Sequence, residues 1–274
     1  MLIKVLVENT AIAEEFKTEH GLCLYIESAG RKILFDTGAS EIFNANAERL
    51  SVNLADIDIA VISHGHSDHG GGLKRFLEIN QKATVYLQQQ AFDRHYARLP
   101  DGQLKSIGLD ESLREQARIV LTQGHHSIAE NAEVFAAVTG RELFSQANNT
   151  LMADVHGKVE NDDFVHEQNL VLRENGRVFL FAGCAHNGII NIMDRYRELS
   201  GKEADYVFGG FHLYNPETKK SEPATFVTQI ASRLKACSAQ FYTGHCTGPE
   251  PYRLLQQILA EQLHDLPTGS IIRI

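Results

Sequence analysis

The six residues His64-Gly65-His66-Ser67-Asp68-His69 constrain this chain more than any other feature. They follow the apolar run IDIAVIS at 57–63, which reads as a buried strand. They precede Gly70-Gly71-Gly72 and LKRFLEI, in which Leu73, Phe76 and Leu77 fit one helical face. A loop joining strand to helix is where α/β folds place chemistry. On extended backbone, residues i and i+2 face the same side, so His64 and His66 can present their rings to one metal ion. Asp68 and His69, past the bend, can face a second position. Crowding three imidazoles and a carboxylate into so short a loop costs desolvation, and protonated rings would repel; a divalent cation relieves both by holding the rings neutral. The glycine triplet lacks the Lys-Ser/Thr ending of a phosphate loop and is expected to allow close approach of loop, helix start and metal site.

The surrounding pattern is that of an α/β chain. Residues 2–8, 22–28 and 31–36 read as strands, with Ala29-Gly30 as a hairpin connection. The stretch at about 90–165 is polar and irregular, with ARIVL and EVFAAV as short strands; it is expected to form loops and edge strands that wall a substrate cleft. Strands at 167–173 and 177–183 lead to GCAHNG, then to a helix in which Ile189, Ile192, Met193 and Tyr196 share a stripe. A strand at 205–209 precedes GGFHL, and a helix begins near Glu222-Pro223. A strand at 239–243 ends in GHCTG before a last helix near 250–264. Three strand ends therefore each deliver a histidine: His186, His212 and His245. The expected organisation is one domain over 1–274, carrying the insertion at about 90–165.

Composition narrows the function. A chain of 274 residues buries enough surface for a packed core without disulfides. Lys plus Arg number 26 against 35 Asp plus Glu, a balance of −9 with no basic cluster, which argues against a nucleic-acid partner. No run approaches the ~20 apolar residues that cross a bilayer, so no membrane partner is expected. The opening MLIKVLVENTAIAEEF lacks the long apolar core of a secretory signal and reads as a first strand, so a cytoplasmic location is expected. Cys23, Cys184, Cys237 and Cys246 are too sparse for a disulfide scaffold, and two of them stand close to histidines, as free thiols or metal neighbours.

The HxHxDH loop after a strand resembles the signature of the metallo-β-lactamase-fold superfamily. Phe35-Asp36-Thr37-Gly38 resembles that superfamily's early Asp-containing turn, whose carboxylate supports the metal loop from behind. EQNLVL, GCAHNGIINI, GGFHL and YTGHCTG resemble the branch of dihydropterin ribofuranosylaminobenzene phosphate synthase-like proteins. The resemblance implies an αββα four-layer sandwich, two mixed β-sheets flanked by helices. It agrees with the residue-level reading in giving metal one to His64, His66 and His186, and metal two to Asp68, His69 and His245. Zinc is the leading choice, with manganese or iron admitted. Many relatives carry a bridging Asp after the strand that here runs into Cys184, so Cys184 is either a thiolate ligand or a small buried residue beside His186; an imidazole suits more metals than a thiolate, which favours His186. His212 reads as a ligand, as a group that steadies an oxyanion, or as a satisfied core residue. Cys246, next to His245 on extended backbone, should point away from the site. His20, His95, His125, His126, His156, His166 and His264 lack partners at ligand spacing and read as solvated or capping residues.

These features predict a hydrolase with a dinuclear centre and a bridging hydroxide, Asp68 steering the nucleophile or its proton and His212 serving the oxyanion or leaving group. The expected substrate is a small anionic ester, a phosphodiester or phosphorylated pterin-like compound. The alternatives are a carboxylic ester, lactone or thioester hydrolase, or a non-hydrolytic iron redox protein.

Overall fold

The computed structural model describes residues 1–274. Two seven-stranded sheets carry the fold. The first runs, edge to edge, Ile271–Arg273, Leu2–Val7, Cys23–Ser28, Arg31–Phe35, Ile59–Val61, Thr84–Gln88 and Ile119–Thr122. The second runs Leu263–Asp265, Gln240–Thr243, Tyr206–Phe208, Arg177–Phe181, Asn169–Glu174, Ala132–Phe135 and His125–Ala129. Both are mixed: hairpin-linked antiparallel strands continue into parallel ones.

Side-chain alternation assigns the layers. Ile33 and Phe35 enter the same core as Phe179 and Phe181 of the other sheet, whereas Leu34 and Leu180 enter two different cores. Residues of period two thus fill the space between the sheets and the spaces outside them. Phe35 meets Phe181 across the interior at 5.8 Å between ring centroids, a tilted pairing that adds ~1 kcal/mol beyond area burial. Outside the first sheet lie the helices Ile42–Arg49 and Leu73–Ile79; outside the second lie Ile189–Ser200, Ala224–Lys235 and Pro249–Leu259. The result is the α/β/β/α sandwich.

The middle of the chain is more regular than its sequence suggests. Its strands Ile119–Thr122, His125–Ala129 and Ala132–Phe135 belong to the two main sheets. The rest builds a separate four-stranded sheet in the order Lys158–Asn161, Leu151–Val155, His95–Arg98, Leu104–Ser106. Both outer strands of that small sheet are fully exposed, so no alternation of apolar and polar residues marks them. No helix of the chain is long and apolar enough to cross a membrane.

Parallel pairing has one functional consequence: strand ends of like direction collect at one edge of the sandwich. Arg31–Phe35 and Ile59–Val61 deliver Asp36 and the loop from Ser63; Arg177–Phe181, Tyr206–Phe208 and Gln240–Thr243 deliver Cys184 to His186, His212 and His245. This is the edge at which open α/β sheets place ligands.

Candidate metal centre

The loop after Ile59–Val61 behaves as its spacing requires. His66 stays extended, and the backbone then turns into a single helical turn, Ser67–Gly70, that carries Asp68 and His69. The turn is gripped from outside: the Thr37 amide donates to the His69 carbonyl at 2.7 Å. A Cβ on Gly71 would stand 2.2 Å from the Ala39 carbonyl oxygen, so the glycine run does allow this close packing.

The outer ring nitrogens of four histidines are committed. His69 Nδ1 donates to Asp36 Oδ2 at 2.6 Å. His186 Nδ1 donates to Asn148 Oδ1 at 3.0 Å, and His245 Nδ1 to Asn9 Oδ1 at 2.9 Å. Ser63 Oγ gives its proton to Asp36 Oδ2 at 2.8 Å and so accepts from His64 Nδ1 at 2.9 Å. Each of these imidazoles, when neutral, then bears its lone pair on Nε2. Those Nε2 atoms converge: His64 lies 3.3 Å from His186, and His69 lies 3.1 Å from His245. Facing lone pairs at such distances repel unless a proton or a cation stands between them. Rings held from behind by carboxylate or amide oxygen, with inward lone pairs, are the arrangement that metal-binding histidines adopt.

Charge follows the same design. Burial, reinforced by neighbouring imidazoles, holds His64 and His186 well below the ordinary histidine pKa, which keeps them neutral. Burial also opposes charge on His69, but Asp36 and Asp68 outweigh it and push that ring up to about 9. Burial would raise the Asp68 carboxyl; His69, His245 and His20 outweigh it and hold the group well below the carboxylate range. Its Oδ2 lies 3.3 Å from His245 Nε2 and 3.6 Å from His69 Nε2.

Ligand-type atoms form overlapping groups within 4.8 Å: Asp68, His69, Cys184 and His245; His64, Cys184 and His186; and His64, His66 and Asp68. The structure therefore brings together all of His64, His66, Asp68, His69, His186 and His245. Cys184 belongs to two of these groups, with its Sγ 3.1 Å from His69 Nε2. Asp36 does not face the centre; it is fully buried behind it and also accepts from the Ser63 amide at 2.7 Å. His212 packs against His186 with ring centroids 4.2 Å apart, and neither of its nitrogens has a hydrogen-bond partner. The centre opens into a cleft of about 460 Å³ whose walls include Lys105, Asn215 and Glu217.

Three expectations change. Cys246 lines the cleft beside Cys184 and His212 rather than pointing away. The reason is backbone: His245 has φ +50° and opens a 3-10 turn, so strand alternation no longer applies. Asp36, Ala185 and His212 also have positive φ, strain that clusters at functional sites. His95 and His166, read as solvated or capping, are buried beside His66 and Asp162. His20, placed in the same class, is exposed as that reading has it, and it also packs on His245 at 4.5 Å with its Nε2 3.5 Å from Asp68.

Sequence reasoning also missed the outer layer. Glu8 accepts from the His245 amide, Asn9 orients the His245 ring, and Glu167 accepts from the His186 amide at 2.6 Å. The available signal was polar residues directly flanking apolar strands, Glu8-Asn9 after the first and His166-Glu167 before EQNLVL's run.

Fold and site together define a member of the metallo-beta-lactamase superfamily: the family model matches residues 17–227, and the chain belongs to that family. It is 28% identical to a 7,8-dihydropterin-6-methyl-4-(beta-D-ribofuranosyl)-aminobenzene-5'-phosphate synthase of Methanocaldococcus jannaschii, over 94% of this chain and 91% of that protein. An uncharacterized protein of the same organism is 30% identical, over 94% of each. Among solved structures, Tm1679, described as a metal-dependent hydrolase of the beta-lactamase superfamily, is 26% identical with a TM-score of 0.81, over 100% of this chain and 99% of that one.

Proposed function

We propose that this protein is a metal-dependent hydrolase that uses two divalent cations, zinc first among them, on a small anionic ester. The observation that carries this reading is the inward convergence of four Nε2 atoms whose rings are each fixed from outside through Nδ1. His64, His66 and His186 would hold one ion and Asp68, His69 and His245 the other, and the Cys184 sulfur lies within 4.8 Å of ligand-type atoms from both sets. Bound there, such a pair supplies Lewis acidity and a nucleophilic water at neutral pH. Asp68, at 22% side-chain exposure the least buried of these groups, would steer the attacking water or shuttle its proton. His212, with both nitrogens free, steadies the developing oxyanion or protonates the leaving group.

The substrate reading rests on charge. A chain of net charge −9 repels anions as a whole, yet Lys105 reaches the cleft wall from the exposed strand Leu104–Ser106. We assign Lys105 to the substrate's phosphate. Lys105→Ala should raise KM for a phosphate ester about five- to tenfold at low salt with little change in kcat, and the difference should shrink as salt screens the charge. An unchanged KM would remove Lys105 from substrate recognition.

The similarity to a protein named as a synthase of a pterin-bearing ribofuranosyl phosphate favours a phosphorylated pterin-like substrate, and it also supports a second reading in which bond formation replaces hydrolysis. Metal quantification on the purified protein, followed by phosphodiester, phosphomonoester and lactone assays on the same sample, tests these readings. The expected result is two zinc ions per chain and phosphodiester turnover that a chelator abolishes and zinc restores. Turnover confined to the lactone would instead assign a carboxylic ester hydrolase. A metal-loaded sample inert to all three would favour the synthase reading. We place this activity in the cytoplasm, where the four cysteines, all free, stay reduced.

A further inference from the structure

Behind the loop lies a second cluster that shares only His66 with the proposed ligand sets. His66, His95, Asp162 and His166 bring their ligand-type atoms within 4.8 Å, and all are buried. Asp162 Oδ2 is the common point: it is hydrogen-bonded to His166 Nε2 at 3.0 Å, and His95 Nδ1 at 3.3 Å and His66 Nε2 at 3.7 Å face it as buried nitrogens with no hydrogen-bond partner. Such a group invites a third cation, but the protons argue otherwise. The Gly65 amide donates to His166 Nδ1 at 2.9 Å. The single proton of a neutral His166 therefore sits on Nε2 and is given to Asp162, and no lone pair of that ring is left for a metal. Gly65 itself is locked against this layer: a Cβ there would stand 2.4 Å from the Ala91 carbonyl oxygen and 2.7 Å from His95 Nε2.

Asp162 and His166 therefore grip the backbone between two proposed ligands, and the same carboxylate faces the ring of one of them. We propose that Asp162, acting with His166, is a positioning residue for the His64-Gly65-His66 loop: His166 fixes the Gly65 amide, and the charge of the Asp162 carboxylate facing His66 Nε2 favours the proton there, leaving the Nδ1 lone pair for the cleft. The inference rests on the reading of His66 as a ligand. It also gives the mid-chain insertion a second task. Asp162 directly follows the strand Lys158–Asn161 of the small sheet, and His95 begins another of its strands. Asp162 Oδ1 further accepts from the Phe164 amide at 2.8 Å, and the Phe164 ring stacks on His186 at 4.6 Å and 4°. One carboxylate thus braces ligands from both main sheets, as outer carboxylates do at metal sites.

Two measurements test this. In the first, zinc affinities of wild type and Asp162→Asn are determined by chelator competition, with thermal melting as a fold control. The expected result is that one of the two dissociation constants rises about 10- to 100-fold while the other moves less than about threefold. Equal weakening of both would mark a merely structural role, and two unchanged constants would remove Asp162 from the centre. A wild-type stoichiometry of three that falls to two in the variant would overturn the positioning role in favour of a third cation site. In the second, long-range proton–nitrogen NMR on the metal-free wild type reads the His66 tautomer, which should carry its proton on Nε2. A proton on Nδ1 overturns the inference whatever the variant does. If wild type binds no zinc, the ligand reading of His66 falls, and the tautomer still decides what Asp162 does.

Discussion

Asp68→Ala should retain one divalent ion per chain instead of two and lose about a thousandfold or more in kcat/KM. The size follows from what the carboxylate does. Its Oδ2 stands against both His69 Nε2 and His245 Nε2, at 3.6 and 3.3 Å, so it completes the second ligand set and supplies that set's only negative oxygen. Losing the electrostatic contribution of one cation at the transition state costs several kcal/mol, and about 4 kcal/mol is about three decades in rate. Stability should change little by comparison, because the side chain is partly open to the cleft and belongs to no apolar core. Asp68→Asn keeps an oxygen donor without the charge and should fall between the two. Metal analysis with turnover on the same preparation checks this. A two-ion, fully active alanine variant would refute the second ligand set.

The loop containing Asp68 was legible because its chemistry is local. His64, His66, Asp68 and His69 are close in sequence, and one turn of helix after an extended residue suffices to aim them. His186, His212 and His245 were legible for a different reason: each ends an apolar strand, and parallel strands end at one edge. The supporting groups had no such marker. Asn148 and Asn9 each turn a ring from a distant part of the chain, 38 and 236 residues away from the histidine they hold. Only the packed sheets make those pairs neighbours. Cys246 departs from strand alternation for a physical reason too. Alternation presumes extended backbone, and the left-handed turn at His245 ends it one residue early. His95 and His166 carry no ligand spacing along the sequence, because their shared partner Asp162 lies on a segment with no apolar rhythm. Burial of several imidazoles around one carboxylate is a tertiary fact.

The deepest of these supports should be the least replaceable. In Asp36→Asn, metal at the second position should bind about 10- to 100-fold more weakly, and the metal-free protein should lose about 1–3 kcal/mol of stability. Asp36 acts only as an acceptor: Oδ1 takes the Ser63 amide proton at 2.7 Å, and Oδ2 takes the Ser63 hydroxyl at 2.8 Å and His69 Nδ1 at 2.6 Å. An asparagine has one oxygen for these two places. With the oxygen at the Oδ2 place, its NH2 meets the Ser63 N–H, a donor against a donor in a fully buried position. Turned the other way, the NH2 meets His69 Nδ1, which must then accept; the ring's proton moves to Nε2 and occupies the lone pair intended for metal. Ser63 loses its acceptor in that orientation as well, and with it the arrangement that fixes His64. Either orientation therefore couples a defect behind the centre to the geometry of its ligands. Zinc titration of the variant, with melting of the metal-free protein beside it, measures both effects. Wild-type zinc affinity in Asp36→Asn would show that the rings are oriented by packing alone, and the hydrogen-bond logic of the centre would have to be abandoned.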